Sequence, residues 1–352
     1  MRILVIFLLL SGCPLLAEAD AVKPKAKAPT AASASQFKIR ADVLWHYPPS
    51  PQFSLKNTHA DLFVDLFPLR GLHLQFEVAP NSRLYEVGWR VHPDIEIRAG
   101  RIWIPFDEIG PSRPFGGMIT RSEFASPGVT SFLPDLWTDL GVAAHFILSR
   151  GETEASDAHV YIVNGFQDGG TDPFQQVNSY PLFGPGGTSN SDNNGDKAIG
   201  GRFKICLSRA ACYGFSVYSG VYSAGNFDSA RATALGLDSQ FRVLNRWRLR
   251  AGYAVMFVGL IPGSASSSFS RAGAHASIQT TVTDRFKVTV GGAALQMDDR
   301  IVNASDRLLV GLTTSYVPQP NIEVSAMLNR DLNQVTAKTN YTAFGLRFFM
   351  VY

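Results

Sequence analysis

The sequence has no long apolar segment downstream of its N-terminal region. A transmembrane helix needs about 20 predominantly apolar residues, and no uncharged run of that kind follows the first residues, so membrane-spanning helices are excluded. Charge is also scarce, because Asp, Glu, Lys and Arg make up 17% of the chain, below the roughly 25% of soluble domains. The formal net charge is only +3, which argues against a nucleic-acid partner.

Cysteine is rare, and no Cys/His spacing is typical of a zinc site. Cys206 and Cys212 flank the three residues 208–210, which the sequence predicts as a tight turn. Across a hairpin they can form a disulfide in an oxidising compartment; the alternative is two unpaired thiols. The segment Asp192–Asp196 offers oxygen ligands near a glycine, but it lacks the distal glutamate of a calcium loop and is interpreted as a turn. We therefore expect no metal and no cofactor.

The first 35 residues are predicted to be an export signal and a tether. A short positive start and an apolar run, Met1–Leu10, precede Ala17-Glu18-Ala19, which fits a small-x-small cleavage site. Residues 1–19 are therefore expected to be a signal peptide; the alternative is a lipoprotein-type signal in which Cys13 is lipidated. Residues 20–35 are built from Ala, Lys, Pro, Ser and Thr, which predicts a flexible periplasmic tether.

Period-two alternation of apolar and polar residues runs through the rest of the chain, residues 36–352. Side chains of a strand alternate between two faces, so this pattern predicts strands with one apolar and one polar face. We predict sixteen, at about 36–44, 59–67, 71–79, 83–92, 95–104, 136–148, 157–166, 197–207, 211–223, 231–243, 246–258, 270–282, 285–297, 306–317, 320–329 and 339–352. Short turns largely alternate with long loops, as in transmembrane barrels. The predicted fold is all-β: a closed antiparallel transmembrane barrel, since closure satisfies the backbone in lipid.

The C-terminal strand carries the most informative pattern. Counting back in twos from the last residue places five apolar side chains on one face: Phe344, Leu346, Phe348, Met350 and Tyr352. An apolar strand that ends on an aromatic residue resembles the closing strand and assembly signal of bacterial outer-membrane β-barrels. This resemblance implies a location in the outer membrane, contact with its lipid and lipopolysaccharide, and insertion by the barrel assembly machinery.

The segment Arg98–Phe106 resembles a stretch of outer-membrane porins of the phosphate-selective type and their relatives. In porins the third external loop commonly folds inward, so the resemblance implies that the long connection 105–135 folds into the lumen and narrows it. This connection holds Arg113 and Arg121 beside four acids, without a dense basic run, so the resemblance extends to the architecture and not to the ligand. It also implies a homotrimer, which is common among sixteen-stranded porins.

Sixteen strands leave an aqueous channel, and inward-facing charges bias which ions enter a narrow pore. The candidate pore-lining or constriction residues are Arg40, Arg90, Glu96, Arg98, Arg101, Arg113, Arg121, Asp139, Arg248 and Arg250. Strict alternation places Arg101 on the lipid face, where a charge costs roughly 2–4 kcal/mol near the midplane. Either a bulge at Gly100 turns it inward, or it snorkels to the headgroups.

These patterns predict a passive channel for small hydrophilic solutes with a weak anion preference, and no enzymatic activity. One alternative is a structural or adhesive barrel plugged by its loops, whose luminal acids and bases pair with one another, whereas those of an open lumen are hydrated. Another is an outer-membrane hydrolase. His145 and Asp139 share a face but lie roughly 20 Å apart along a strand, and His275 with Ser277 has no evident third partner.

Overall fold

A computed structural model describes most of the predicted barrel. The described residues are 36–47, 54–78, 84–106, 137–150, 155–166, 196–208, 210–222, 230–244, 246–260, 268–296, 299, 306–320, 322–333 and 341–351. Among them, no helix is long and apolar enough to cross a membrane. The predicted signal peptide and tether, together with Cys13, Arg113, Arg121 and Tyr352, lie outside the described residues.

The sixteen predicted strands are all present. Their bounds are β1 Gln36–Tyr47, β2 Ser54–Leu69, β3 Leu72–Val78, β4 Tyr85–His92, β5 Ile95–Trp103, β6 Thr138–Ser149, β7 Ser156–Val163, β8 Ala198–Ser208, β9 Ala211–Val221, β10 Arg231–Val243, β11 Trp247–Gly259, β12 Ser268–Thr283, β13 Phe286–Gln296, β14 Asp306–Gln319, β15 Ile322–Asn333 and β16 Tyr341–Val351. The largest difference between predicted and observed strand bounds is at the start of β2, which begins at Ser54 instead of about residue 59.

The sheet closes on itself. Each strand pairs antiparallel with its chain neighbours, and β1 pairs with β16, for example Lys38 with Val351, to complete the barrel. Because no water reaches the backbone in a bilayer core, a closed barrel is the form in which every strand satisfies its N–H and C=O groups. The predicted fold class is therefore confirmed.

Large apolar side chains lie on the outside of this barrel. In β9 the outward-facing Phe215 is 46% exposed, whereas its inward-facing neighbour Ser216 is 0% exposed. The same alternation continues in β7, where Ile162 is exposed and Tyr161 is buried. In a water-soluble protein, large apolar side chains are mostly buried. Their exposure around the outside of this barrel matches a surface that faces lipid.

The C-terminal strand pairs with β15 and with β1. Phe348 lies opposite Val324 of β15, and Met350 lies opposite Ile322. Val324 is among the exposed apolar residues of the outer face. The predicted apolar face of β16 and its role as an assembly signal both stay predictions.

The two ends of the barrel differ in packing. The odd-numbered strands β5 to β13 run towards the end that bears the long connections, here called the long-loop end; the opposite end is the short-turn end. Inward-facing side chains near the long-loop end form one apolar cluster, which includes Tyr161, Val163, Tyr218, Met256 and Leu295. Half-buried charged and polar side chains lie closer to the short-turn end. The described part of the lumen is therefore packed at one end and more open at the other.

The predicted disulfide is present at the short-turn end. Cys206 and Cys212 are direct cross-strand partners in the β8–β9 hairpin, with their Cα atoms 4.0 Å apart. Their bond fixes the two strands just before the tight turn. A disulfide also fits the oxidising compartment that the predicted export signal implies.

Two adjacent residues of β13 test which face meets lipid. Val290 faces outward and is exposed, whereas Thr289 faces the lumen. We expect Val290→Arg to lower the free energy of folding into lipid vesicles by about 2–4 kcal/mol, because the charge enters the hydrocarbon region. The matched variant Thr289→Arg should fold nearly as well as wild type in the same urea titration. Equal losses in both variants would contradict the assignment of the two faces.

Candidate functional site

Charged side chains form a belt on the inward faces of β4 to β10. Four contacts each join one base to one acid, so the formal charges in these contacts balance. The pairs are Arg90 with Glu96 at 3.7 Å, Arg98 with Glu86 at 3.5 Å, Arg202 with Asp238 at 2.5 Å, and Lys204 with Asp157 at 3.8 Å. We call these eight residues the charge belt. The predicted pore residues Arg90, Glu96 and Arg98 therefore pair with opposite charges on neighbouring strands.

Arg98 contacts residues of two other strands. The Arg98 and Glu86 side chains are 5% and 2% exposed, and Glu86 also accepts a hydrogen bond from the backbone N–H of Trp103 at 3.2 Å. A second Arg98 nitrogen, Nη2, lies 3.3 Å from Nδ1 of His159. Arg98 therefore links β4, β5 and β7, and its charge is compensated inside the wall.

Arg202 and Asp238 form a two-point contact across β9. Arg202 Nη1 donates to Asp238 Oδ2 at 2.5 Å, and Nη2 donates to Oδ1 at 2.8 Å. Ser216 of the intervening strand accepts a further bond from Nη1 at 3.1 Å. Gly214 leaves room for this pair, because a Cβ atom there would collide with both side chains. The geometry satisfies two buried charges that are costly when separated.

Two histidines and one aspartate meet between β6 and β7. His145 and His159 are direct cross-strand partners whose rings stack with centroids 4.1 Å apart and planes 3° apart. Asp157 Oδ1 lies 3.5 Å from His159 Nε2. The sequence pattern paired His145 only with Asp139, and this group was not predicted. The available signal was Asp-x-His on one face of a strand whose hairpin partner carries a histidine.

Asp139 and Arg101 lie near the stem of the long connection. The buried Asp139 carboxylate accepts backbone bonds from Leu140 and Gly165, both at 2.7 Å. Arg101 is 6% exposed, and its Nε donates to Thr138 Oγ1 at 3.1 Å. Both side chains therefore hold local structure; their predicted place in the pore wall stays a prediction.

The explanation offered for Arg101 needs correction. Gly100 adopts a positive φ of 122°, which disfavours a side chain, but the pairing of β5 with β4 and β6 passes through Gly100 without a register shift. The expected bulge is therefore absent from the described pairing. Arg101 is buried, and the snorkelling alternative stays a prediction.

A separate group of bases lies nearer the short-turn end. Arg242, Arg248 and Arg250 are half-buried on the inward faces of β10 and β11. Arg242 and Arg248 are direct cross-strand partners. Like charges directly opposite one another are destabilising, and contact with water reduces this cost. We call these three residues the basic group.

The remaining predicted cations are less fully described. Arg40 is defined by its backbone pairing alone, opposite Asp61 of β2 and Phe349 of β16. Arg113 and Arg121 lie outside the described residues. Their predicted role in a constriction therefore stays a prediction.

Both ends of the long connection lie inside the barrel. Phe106, which follows β5, and Trp137, which precedes β6, have ring centroids 5.4 Å apart. Trp137 also packs against Phe166 at 5.3 Å and Tyr218 at 5.1 Å. A Cβ atom on Gly236 of β10 would lie 2.8 Å from the Phe106 ring, so Phe106 reaches across the lumen. These four aromatic residues form what we call the aromatic cluster, and they direct both ends of the connection inward.

The sequence matches no protein-family model, and it matches no curated protein. Solved structures are similar in fold. An anion-selective porin from Comamonas acidovorans shares 11% identity at a TM-score of 0.59, over 90% of this chain and 100% of the other. The outer-membrane channel DcaP of Acinetobacter baumannii shares 10% identity at 0.53, over 92% and 99%. A trimer form of the outer-membrane protein OmpT of Vibrio cholerae shares 9% identity at 0.53, over 90% and 98%.

The chain has the outer-membrane porin fold. The predicted resemblance to porins is thereby confirmed at the level of architecture. Sequence identities this low show only that the fold is shared. Any functional role must therefore rest on the side chains of this chain.

The Arg202–Asp238 pair of this porin fold gives a test of wall stability. We expect Arg202→Met alone to lower the free energy of unfolding by about 3–5 kcal/mol, because Asp238 then keeps a buried charge without its guanidinium. The double variant Arg202→Met/Asp238→Met should recover most of this loss. Urea unfolding in detergent, followed by tryptophan fluorescence, measures both. Additive losses in the double variant would show that the two side chains do not act as a pair.

Proposed function

We propose that the protein is an outer-membrane porin, a passive diffusion channel for small hydrophilic solutes. The observation that carries this proposal is a closed sixteen-stranded wall with lipid-type apolar residues outside and half-buried polar and charged residues on its inner face. Barrels of this size enclose an aqueous passage. A solute then crosses by diffusion, and no covalent bond is formed or broken.

The proposed weak anion preference rests on the basic group. The charge belt is balanced in its own contacts, so it adds little net field to the lumen. Arg242, Arg248 and Arg250 place three arginines close together on two adjacent strands. Cations on a narrow low-dielectric wall raise the local concentration of anions. The proposed selectivity therefore lies on the β10–β11 wall, with Arg113 and Arg121 of the long connection as additional candidates.

The proposal also includes the membrane around the barrel, its assembly machinery and its oligomeric state. Its outer face suits outer-membrane lipid and lipopolysaccharide, and its C-terminal strand suits recognition by the barrel assembly machinery. A homotrimer is the proposed assembly, in keeping with the trimer form of the Vibrio cholerae OmpT structure. We propose no enzymatic role, because the solved structures that share this fold include porins and channels.

A plugged structural or adhesive barrel is the second candidate. The aromatic cluster and the buried ion pairs of the charge belt favour it, because mutual pairing is what a closed lumen predicts. The half-buried basic group favours the open channel instead. The two candidates thus differ in whether a continuous water path passes the aromatic cluster.

Planar-bilayer recordings of the refolded protein in a KCl gradient test the leading proposal. We expect stepwise conductance and a reversal potential displaced towards that of chloride. Arg248→Gln/Arg250→Gln should move the reversal potential towards zero, because it removes two cations from the luminal wall. The control Arg150→Gln removes a cation that pairs with Asp94 at the exposed rim and should change little. A wild-type reversal towards the potassium potential would refute the anion preference while keeping the channel.

Removing rings from the aromatic cluster distinguishes an open channel from a plugged barrel. Trp137→Ala/Phe166→Ala removes two rings that pack 5.3 Å apart inside the lumen. In an open channel the variant should conduct more than wild type, whereas in a plugged barrel only the variant should conduct. Trp89→Ala is the control, because Trp89 faces outward, and it should leave conductance unchanged. Silence from both folded forms would contradict the channel proposal.

A further inference from the structure

We propose that His145, Asp157 and His159 form a binding site for a divalent transition-metal ion of the zinc class in the luminal wall. Two adjacent strands of the hairpin β6–β7 supply all three side chains. One ring nitrogen of each histidine and one carboxylate oxygen of Asp157 all lie within 4.8 Å of one another. The proposal depends on the folded wall alone and is independent of whether the barrel conducts.

The backbone register brings the ligands to one point. His145 and His159 face each other directly across β6 and β7, and Asp157 lies two residues before His159 on the same face of β7. A register shift between Ile147 and Ser149 follows at the end of the hairpin. Since the three side chains project from rigid paired strands, little backbone ordering is needed when an ion binds.

The chemistry of the group fits zinc better than calcium or magnesium. Two imidazoles and one carboxylate form a ligand set found in zinc sites that keep a fourth position open. Imidazole suits zinc, copper and nickel, whereas calcium and magnesium prefer oxygen ligands. Bonds of about 2.0–2.2 Å place ligand atoms of one ion roughly 3.5 Å apart, so the two rings, whose planes now lie 3° apart, must turn about their side-chain bonds until both nitrogens point to one ion. The open position would face the lumen.

The neighbouring cations leave a place for the ion. Lys204 approaches the Oδ2 atom of Asp157 at 3.8 Å, whereas Oδ1 lies 3.5 Å from His159 Nε2. A zinc ion therefore occupies the gap between Oδ1 and the imidazole nitrogens. Arg98 contacts both His159 and Glu86, so it can withdraw to Glu86 when the ion binds. Its charge nevertheless opposes a divalent cation and lowers the affinity.

Direct binding of zinc to the refolded full barrel tests the site. Protein freed of metal by a chelator is dialysed against zinc chloride, and bound metal is measured per chain. We expect one saturable zinc ion for wild type. His145→Gln and His159→Gln should each weaken it by at least about 100-fold, since removing a ligand exceeds the effect of an outer-shell change. His275→Gln, which removes another luminal imidazole on β12, should bind as wild type.

Cobalt substitution supplies a second readout that a purely structural role of the histidines would not give. Co²⁺ bound by two imidazoles and a carboxylate in tetrahedral geometry shows intense visible absorption, and this band should disappear in His159→Gln. Far-UV circular dichroism confirms that each variant is folded. An absence of saturable binding in wild type would overturn the proposal. Equal binding in all variants would also overturn it, because the metal would then sit elsewhere, for example beside His92 and Asp94 at the exposed turn.

Arg98→Gln tests the position of the ion. The glutamine keeps a hydrogen-bond donor but removes the positive charge next to His159. We expect zinc affinity to rise about tenfold, because the variant lacks the positive charge that repels the zinc ion. Unchanged or weaker binding by the folded variant would contradict placement of the ion beside His159.

Discussion

Everything in this molecule depends on the need to satisfy the strand backbone without water. An open sheet in lipid leaves two rows of unpaired N–H and C=O groups. Each unpaired group costs several kcal/mol of folding free energy. Pairing of β1 with β16 removes both rows. Once the sheet is closed, each strand has one face towards lipid and one towards the lumen, and the period of two decides where every side chain goes. Exposed Phe215 and buried Ser216 follow from that single constraint.

Inside the wall, charge is handled by pairing. A buried guanidinium or carboxylate is tolerated when it has a partner of opposite sign and good geometry, and Arg202 with Asp238 meets both conditions. The basic group differs, because Arg242 and Arg248 face each other directly. One wall thus contains direct pairs of opposite charge, which stiffen it, and a separate group of three arginines near the short-turn end. This division, more than the number of arginines, determines the proposed anion preference.

The strands, the closed all-β fold and the disulfide could be predicted because their signals are local. Alternation in Leu72–Val78 lies within one strand, and the cysteine turn lies within one hairpin. The pairs of the charge belt were harder to predict from the sequence, because Arg202 and Asp238 meet across an intervening strand. His145 and His159 meet only when the hairpin register is known. The aromatic cluster was not predicted, because inward apolar residues interrupt the alternation without indicating a partner, and Phe106 contacts Gly236 only after closure.

The compensated pairs have a consequence for how the barrel is assembled correctly. Displacing β8 or β10 by one residue would turn Arg202 or Asp238 towards lipid, and displacing either strand by two would move their contact by a full repeat. Misaligned sheets therefore leave a buried charge without a counter-ion, a penalty that generic apolar packing does not impose. Contacts such as Arg202–Asp238 and Arg98–Glu86 act as alignment marks, which favour a single arrangement of strands among many that have equally apolar exteriors.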